Sequence, residues 1–160
     1  MNAFNDLRST TDRAASDEAA IRRQLDAVIE ALRTEDLESL SRLYTTDVVS
    51  FDVEPPLQHV GTAAKLANWT KVFQFFETVN YEIRDLTLTI GADVAYGHAF
   101  ARLSGTTRSG VPVPGMWVRV TYGLRKLADT WLIAHDQVSV PLDIATGKGV
   151  VDLHPDEHAR

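Results

Sequence analysis

The stretch SFDVEPPLQHVG, residues 50–61, places an aspartate where an apolar run stops. Val48, Ser50 and Asp52 alternate with Val49, Phe51 and Val53, so a period of two sets Asp52 opposite Phe51 and Val53. In this reading the apolar trio takes the packed face, and Asp52 faces either solvent or a cavity. In solvent it is a charged strand end and nothing more. At the mouth of an apolar cavity it is a proton shuttle, because desolvation favours the neutral acid.

Such a base needs companions. His98 shares a strand face with Val94, Tyr96, Phe100 and Arg102, and His135 shares one with Trp131, Ile133, Gln137 and Ser139. A single strand histidine is ordinarily a hydrogen-bonded structural group. Two in one sheet, together with Asp52, make a shared site, so Asp52, His98 and His135 are the candidate catalytic residues. The same types compose a facial metal triad, but no HxH or HExxH spacing supports one, and neither a metal nor another cofactor is expected. Arg119 lies between Trp117 and Thr121 in MWVRVTY. It anchors an anionic ligand group if that face lines a cavity. A salt bridge or a dimer contact is the alternative. Trp69, Tyr96, Trp117 and Arg119 are the candidate ligand contacts.

Other apparent motifs carry no chemistry. TGKG lacks the first glycine of a phosphate loop, where Leu142 stands. There is no GxSxG, and HPDEH near the C-terminus reads as a polar tail. Asn68-Trp69-Thr70 is a formal glycosylation sequon inside a predicted helix.

The elements that must position these residues follow from hydrophobic period. Ser16 is placed to cap a helix carrying Ile21, Leu25, Val28, Ile29 and Leu32, and a shorter helix carries Leu37, Leu40, Leu43 and Tyr44. A strand over 48–53 ends at Pro55-Pro56, and Thr62 opens a third helix with Leu66, Trp69, Phe73 and Phe76 in one stripe. Period two then runs through 81–90, 92–104, 116–126 and 130–140, with Gly91, TTRSGVPVPG and LADT as turns. The fold class is α+β: three N-terminal helices on one side of a strongly curved, mostly antiparallel sheet, an open cone with a ligand cavity between the layers. Residues 1–15 read as a flexible tail, 16–153 as the domain and 154–160 as a C-terminal tail.

The chain has 160 residues, 44% of them hydrophobic, enough for one core. Cysteine is absent, which excludes disulfides, thiol nucleophiles and Cys-based metal sites. A net charge of −6, with basic residues scattered, speaks against nucleic acid as a partner. No stretch approaches the ~18 apolar residues of a membrane span and the N-terminus has no apolar signal core, so a cytoplasmic location is expected.

The segments DLESLSRLYTTDVVSFD, HVGTAAKLANW, MWVRVTYGLRKLADTWLIAHDQVSVP and DIATGKGVVDLHP resemble the nuclear transport factor 2-like cone fold, within it the SnoaL-like and ketosteroid isomerase-like branch. The resemblance covers about residues 17 to 153 and implies one fold with several uses: isomerase, cyclase, dehydratase or plain binder. It places Asp52 where the steroid isomerases keep their base. It finds no tyrosine on the first helix, where Val28 stands, and Trp117, Val118 and Arg119 rather than an acid on the later strand. His135 and Ser139 match a family ending in which Gln137 replaces a second histidine.

Two functions are therefore expected in parallel. One is cofactor-independent acid–base chemistry on a small apolar, carbonyl-bearing ligand with Asp52 as base, true steroid isomerisation being disfavoured. The other is a non-catalytic small-molecule binder or accessory domain. In both, the uncovered sheet face calls for a homodimer.

Overall fold

Ile21, Leu25, Val28 and Leu32 fall at helical spacing, and all four are buried in a helix that packs across the sheet. The structure is a computed structural model that describes the backbone of residues 3–156 and the side chains from residue 12 onwards. Part of the expected C-terminal tail, 157–160, lies outside the described residues. This first helix, α1, spans Ala3–Arg33. Ser16 is therefore inside the helix and does not cap it, and residues 3–15, read from sequence as tail, are helical. Asp17 is also not a mere dipole charge. It is 6% exposed and accepts hydrogen bonds from Trp131 Nε1 at 2.9 Å and Lys126 Nζ at 2.8 Å.

The second helix, α2, is only Leu37–Ser41, capped by Asp36, whose carboxylate accepts from the Ser39 backbone N–H. Tyr44, expected on that helix, instead begins β1, Tyr44–Phe51. A two-residue β2, His59–Val60, precedes α3, Thr62–Phe75. The Thr62 hydroxyl does not cap α3; it donates to Thr45 O, tying the helix to β1.

Then come β3, Phe76–Ile90, β4, Val94–Thr107, and a short β5, Pro112–Val113. The last long strands are β6, Trp117–Leu127, and β7, Thr130–Ser139, followed by a small hairpin of β8, Leu142–Asp143, and β9, Lys148–Gly149. The main sheet runs β2-β1-β7-β6-β4-β3, with β5 beside β4. The long strands form the expected antiparallel meander, and β1 joins its β7 edge in parallel. The sheet does not close, and the helices cover one face. This is the predicted α+β cone.

Burial identifies the inner face. On β6 it carries Val120, Tyr122 and Leu124, on β4 Ala95, Ala99 and Ala101, and on β1 Val48 and Ser50. The sequence reading had β1 reversed: Phe51 and Val53 are 37% and 40% exposed, while Ser50 is 1% exposed. No helix among the described residues is long and apolar enough to cross a membrane.

Candidate functional site

Three elements, α3, β1 and β7, meet on the inner wall around one buried lysine. Lys65 belongs to the first turns of α3 and shares that helix's inward stripe with Trp69 and Phe73, at i, i+4 and i+8. Its Nζ lies 2.8 Å from Asp136 Oδ2 on β7 and donates to Ser50 Oγ on β1 at 2.8 Å. Ser50 Oγ in turn donates to Asp136 Oδ1. The three side chains close a ring of charge-assisted hydrogen bonds, each member buried. The ammonium also lies 5.7 Å from the ring centre of Tyr44 and 5.6 Å from that of Trp69.

Asp136 owes its inward position to a β-bulge. Leu124 pairs with Ile133, but the next β6 residue, Gly123, pairs with His135, so Ala134 is extra. Beyond it the alternation changes phase. Trp131 and Ile133 point inward, and so does Asp136, while His135 points outward.

Three phenols complete the wall. Tyr81 on β3 and Tyr122 on β6 approach to 3.4 Å between hydroxyls. Burial, then repulsion by the Asp136 and Asp52 carboxylates, raises Tyr44 far above the ordinary phenol value, although the neighbouring Trp69 opposes the shift. Burial pushes Tyr81 up to about 12. Burial and the adjacent Tyr81 raise Tyr122 well above its ordinary value. All three hydroxyls therefore keep their protons at neutral pH and present O–H donors to the interior.

Asp52 stands just past the end of β1, half-buried, on the side of Ser50. Its Oδ1 accepts from Val53 N at 2.8 Å and its Oδ2 from Asn68 Nδ2 on α3 at 2.8 Å. Chemically, the wall offers a rim carboxylate, a buried ion pair and phenolic donors within an aromatic surround of Trp69, Phe73 and Tyr81.

Of the residues singled out in sequence, only Asp52 and Trp69 belong to this wall. His98 is exposed on the outer face, paired between Thr87 and Thr121, because the inner positions of β4 are Ala95, Gly97 and Ala99. Tyr96 shares that outer face and is 55% exposed. His135, turned by the bulge, places Nδ1 2.7 Å from Val49 O and packs edge-on against Phe51. Arg119 is exposed on the outer face and donates to Val140 O, so it is no cavity anchor. Trp117 is on the outer face too, stacked under Arg102 and Arg84. Asp52, His98 and His135 thus do not converge on a common point.

Sequence reasoning missed Lys65, Ser50, Asp136, Tyr44, Tyr81 and Tyr122. Lys65 had a signal, since it continues the Trp69–Phe73 stripe one turn towards the N-terminus. Two surface hollows of about 560 and 580 Å³ lie elsewhere, the first lined by Arg13, Asp93, Lys126 and Asp129 and the second by Asn80, Arg102 and Ser104. Their charged linings already face bulk water, so neither supplies the desolvation that perturbs proton affinities on the inner wall.

Comparisons with known proteins agree with this architecture. Residues 21–143 match the family described as the SnoaL-like domain. An NTF2-like protein of unknown function from Pseudomonas putida KT2440 is 27% identical, with a TM-score of 0.77 over 88% of this chain and 98% of that one. A candidate dehydratase of the NTF2-like family from Streptomyces avermitilis shares the fold at 20% identity, with a TM-score of 0.71 over 81% and 99% of the two chains. A candidate scytalone dehydratase from Novosphingobium aromaticivorans DSM 12444 shares it at 15% identity, with a TM-score of 0.75 over 94% and 99%. No curated protein matches the sequence.

Proposed function

The chain belongs to the SnoaL-like domain family, and on that premise we propose that it binds a small, largely apolar, carbonyl-bearing molecule against the aromatic inner wall and moves a proton on it, with Asp52 as base. The ligand enters between α3 and the sheet, where Trp69 and Tyr81 are only half-buried. The observation that carries this reading is the convergence of Asp52, the Lys65–Asp136 pair and three protonated phenols on one apolar wall. Stability alone does not call for it, because a buried ion pair is commonly replaceable by apolar residues without loss. Perturbed ionisable groups gathered at one place are a mark of functional sites. The phenols also answer a gap in the sequence reading. They supply O–H donors for a developing enolate, although none of the three comes from α1.

The test uses a small apolar ketone as probe. In D2O the protein should accelerate exchange of the α-protons of 2-tetralone, and Asp52→Asn should abolish the acceleration.

One observation favours a second reading, a binder without turnover. Both Asp52 oxygens already accept hydrogen bonds, from Val53 and Asn68, so an incoming proton competes with them. This reading expects a ligand-induced rise in Tm with no exchange above buffer. In either case we propose a homodimer through the outer sheet face, where Phe51, Val53, Val94 and Tyr96 are exposed.

A further inference from the structure

One buried imidazole on the inner wall is used by none of the chemistry above. His59 is 8% exposed, and its Nε2 meets no hydrogen-bond partner among the described residues. It pairs directly with Ser50 across the antiparallel β1–β2 ladder. Paired residues project to the same face, so His59 stands beside the Ser50–Lys65–Asp136 ring and on the Asp52 side of the sheet. Its neighbour Val60 turns outward and is 58% exposed.

A second bare polar atom lies over the same wall. Trp69 Nε1, on α3, is buried without a hydrogen-bond partner among the described residues. The Tyr44 hydroxyl is beside it, and Trp69 opposes the rise in that group's proton affinity.

The groups of the ion-pair ring are engaged. Both Asp136 oxygens and Ser50 Oγ are taken up by the ring, and Lys65 serves two acceptors. Buried polar atoms are partnered in roughly nine cases out of ten, and a bare one is costly. An apolar side chain at 59 would pack this edge without that cost. Two uncommitted polar atoms, one on each side of the helix–sheet seam, are instead what a polar ligand atom requires.

We propose that His59 is the ligand-contacting, specificity-determining residue of the interior. Its Nε2 recognises the hydroxyl or carbonyl oxygen of a planar, mostly apolar ligand, and Trp69 Nε1–H supplies a second donor from α3. A neutral imidazole serves either oxygen type, accepting from a hydroxyl or donating to a carbonyl according to tautomer. This rests on the ligand-binding reading above and adds to it the polar group by which the ligand is chosen.

The experiment titrates the full chain, with ¹⁵N-labelled imidazoles, with 2-naphthol and with naphthalene, following His59 Nε2 and the ring resonances of Trp69 and Tyr81. Saturable movement of His59 Nε2 by 2-naphthol but not by naphthalene is the expected result. His59→Phe should weaken 2-naphthol about tenfold and leave naphthalene unchanged. Binding that moves the Trp69 and Tyr81 rings while His59 Nε2 stays still overturns the inference and leaves the ligand-binding reading standing. The wild-type titration decides this even if the variant does not fold. If neither naphthalene, 2-naphthol nor 2-tetralone moves Trp69 or Tyr81, the ligand-binding reading falls and the inference falls with it.

Discussion

Lys65 Nζ sits 2.8 Å from the Asp136 carboxylate, with 6% and 10% of the two side chains exposed, so the helix-covered interior encloses a complete ion pair. Because Lys65 comes from α3 and Asp136 from β7, the pair also clamps the third helix to the sheet. Removing one partner strands the other charge without water. Lys65→Met should therefore lower the unfolding free energy by about 3–5 kcal/mol, and Lys65→Met combined with Asp136→Leu should recover most of that loss. Urea unfolding of the two variants checks it. A double variant as unstable as the single one would mean that the pair is not the source of the cost.

The phenols give a pH dependence of known sign. Tyr81 is held up to about 12 by burial, above the ordinary phenol value of 10 that it regains on unfolding. A raised folded-state pKa contributes stability that is fully present below the unfolded value and is lost as pH rises towards the folded one. Stability should fall between pH ~10 and ~12, and Tyr81→Phe should flatten that fall. Unfolding midpoints measured across this window decide it, and a Tyr81→Phe curve parallel to wild type would contradict the burial argument.

The fold was legible where side-chain period alone decides, and the site was not, because two local departures from period decide it. Strands β3, β4, β6 and β7 and the Leu66–Trp69–Phe73 stripe follow simple alternation or helical spacing, so their existence could be read directly, whereas the short β5 lies in a segment read as a turn. On β7 a single extra residue, Ala134, exchanges His135 for Asp136, and nothing in AHDQ announces a bulge. On β1 the apolar Phe51 and Val53 suggested the packed face, yet the small Ser50 is what fits under α3 beside Lys65. Lys65 was passed over because lysine is almost never buried unless paired, and its partner lay 71 positions away in a residue not yet assigned inward. Asp52 lies on the side opposite Phe51, as alternation expects, although the strand ends at Phe51 and not at Val53.

The outer face provides controls. His98→Ala and Arg119→Ala remove side chains that do not reach the inner wall. Each should leave 2-tetralone affinity as in wild type. His135→Ala loses the bond to Val49 O and should cost about 1 kcal/mol, again without an effect on affinity. Isothermal titration and urea melts check all three. A tenfold loss of affinity in any of them would place the ligand on the other side of the sheet.

The same face should join two copies. Val94 and Tyr96 are 58% and 55% exposed at alternate positions of β4, and Phe51 and Val53, at the end of β1 across β6 and β7, are a second exposed apolar pair on that face. Sedimentation at micromolar concentration should give a dimer, and Tyr96→Glu with Val94→Glu should give a folded monomer. A wild-type monomer would remove the dimer from the account.

The central claim, that Asp52 moves a proton on a bound carbonyl compound, is tested most directly by α-proton exchange. 2-Tetralone in D2O, followed by ¹H NMR, should lose its α-proton signals faster with the protein than in buffer. Asp52→Asn, an isostere that keeps the Asn68 neighbour but cannot accept the proton as a carboxylate does, should reduce the protein-dependent rate by at least ~100-fold. Protein-dependent exchange that survives unchanged in Asp52→Asn, or saturable binding of 2-tetralone with no exchange above buffer, would contradict it.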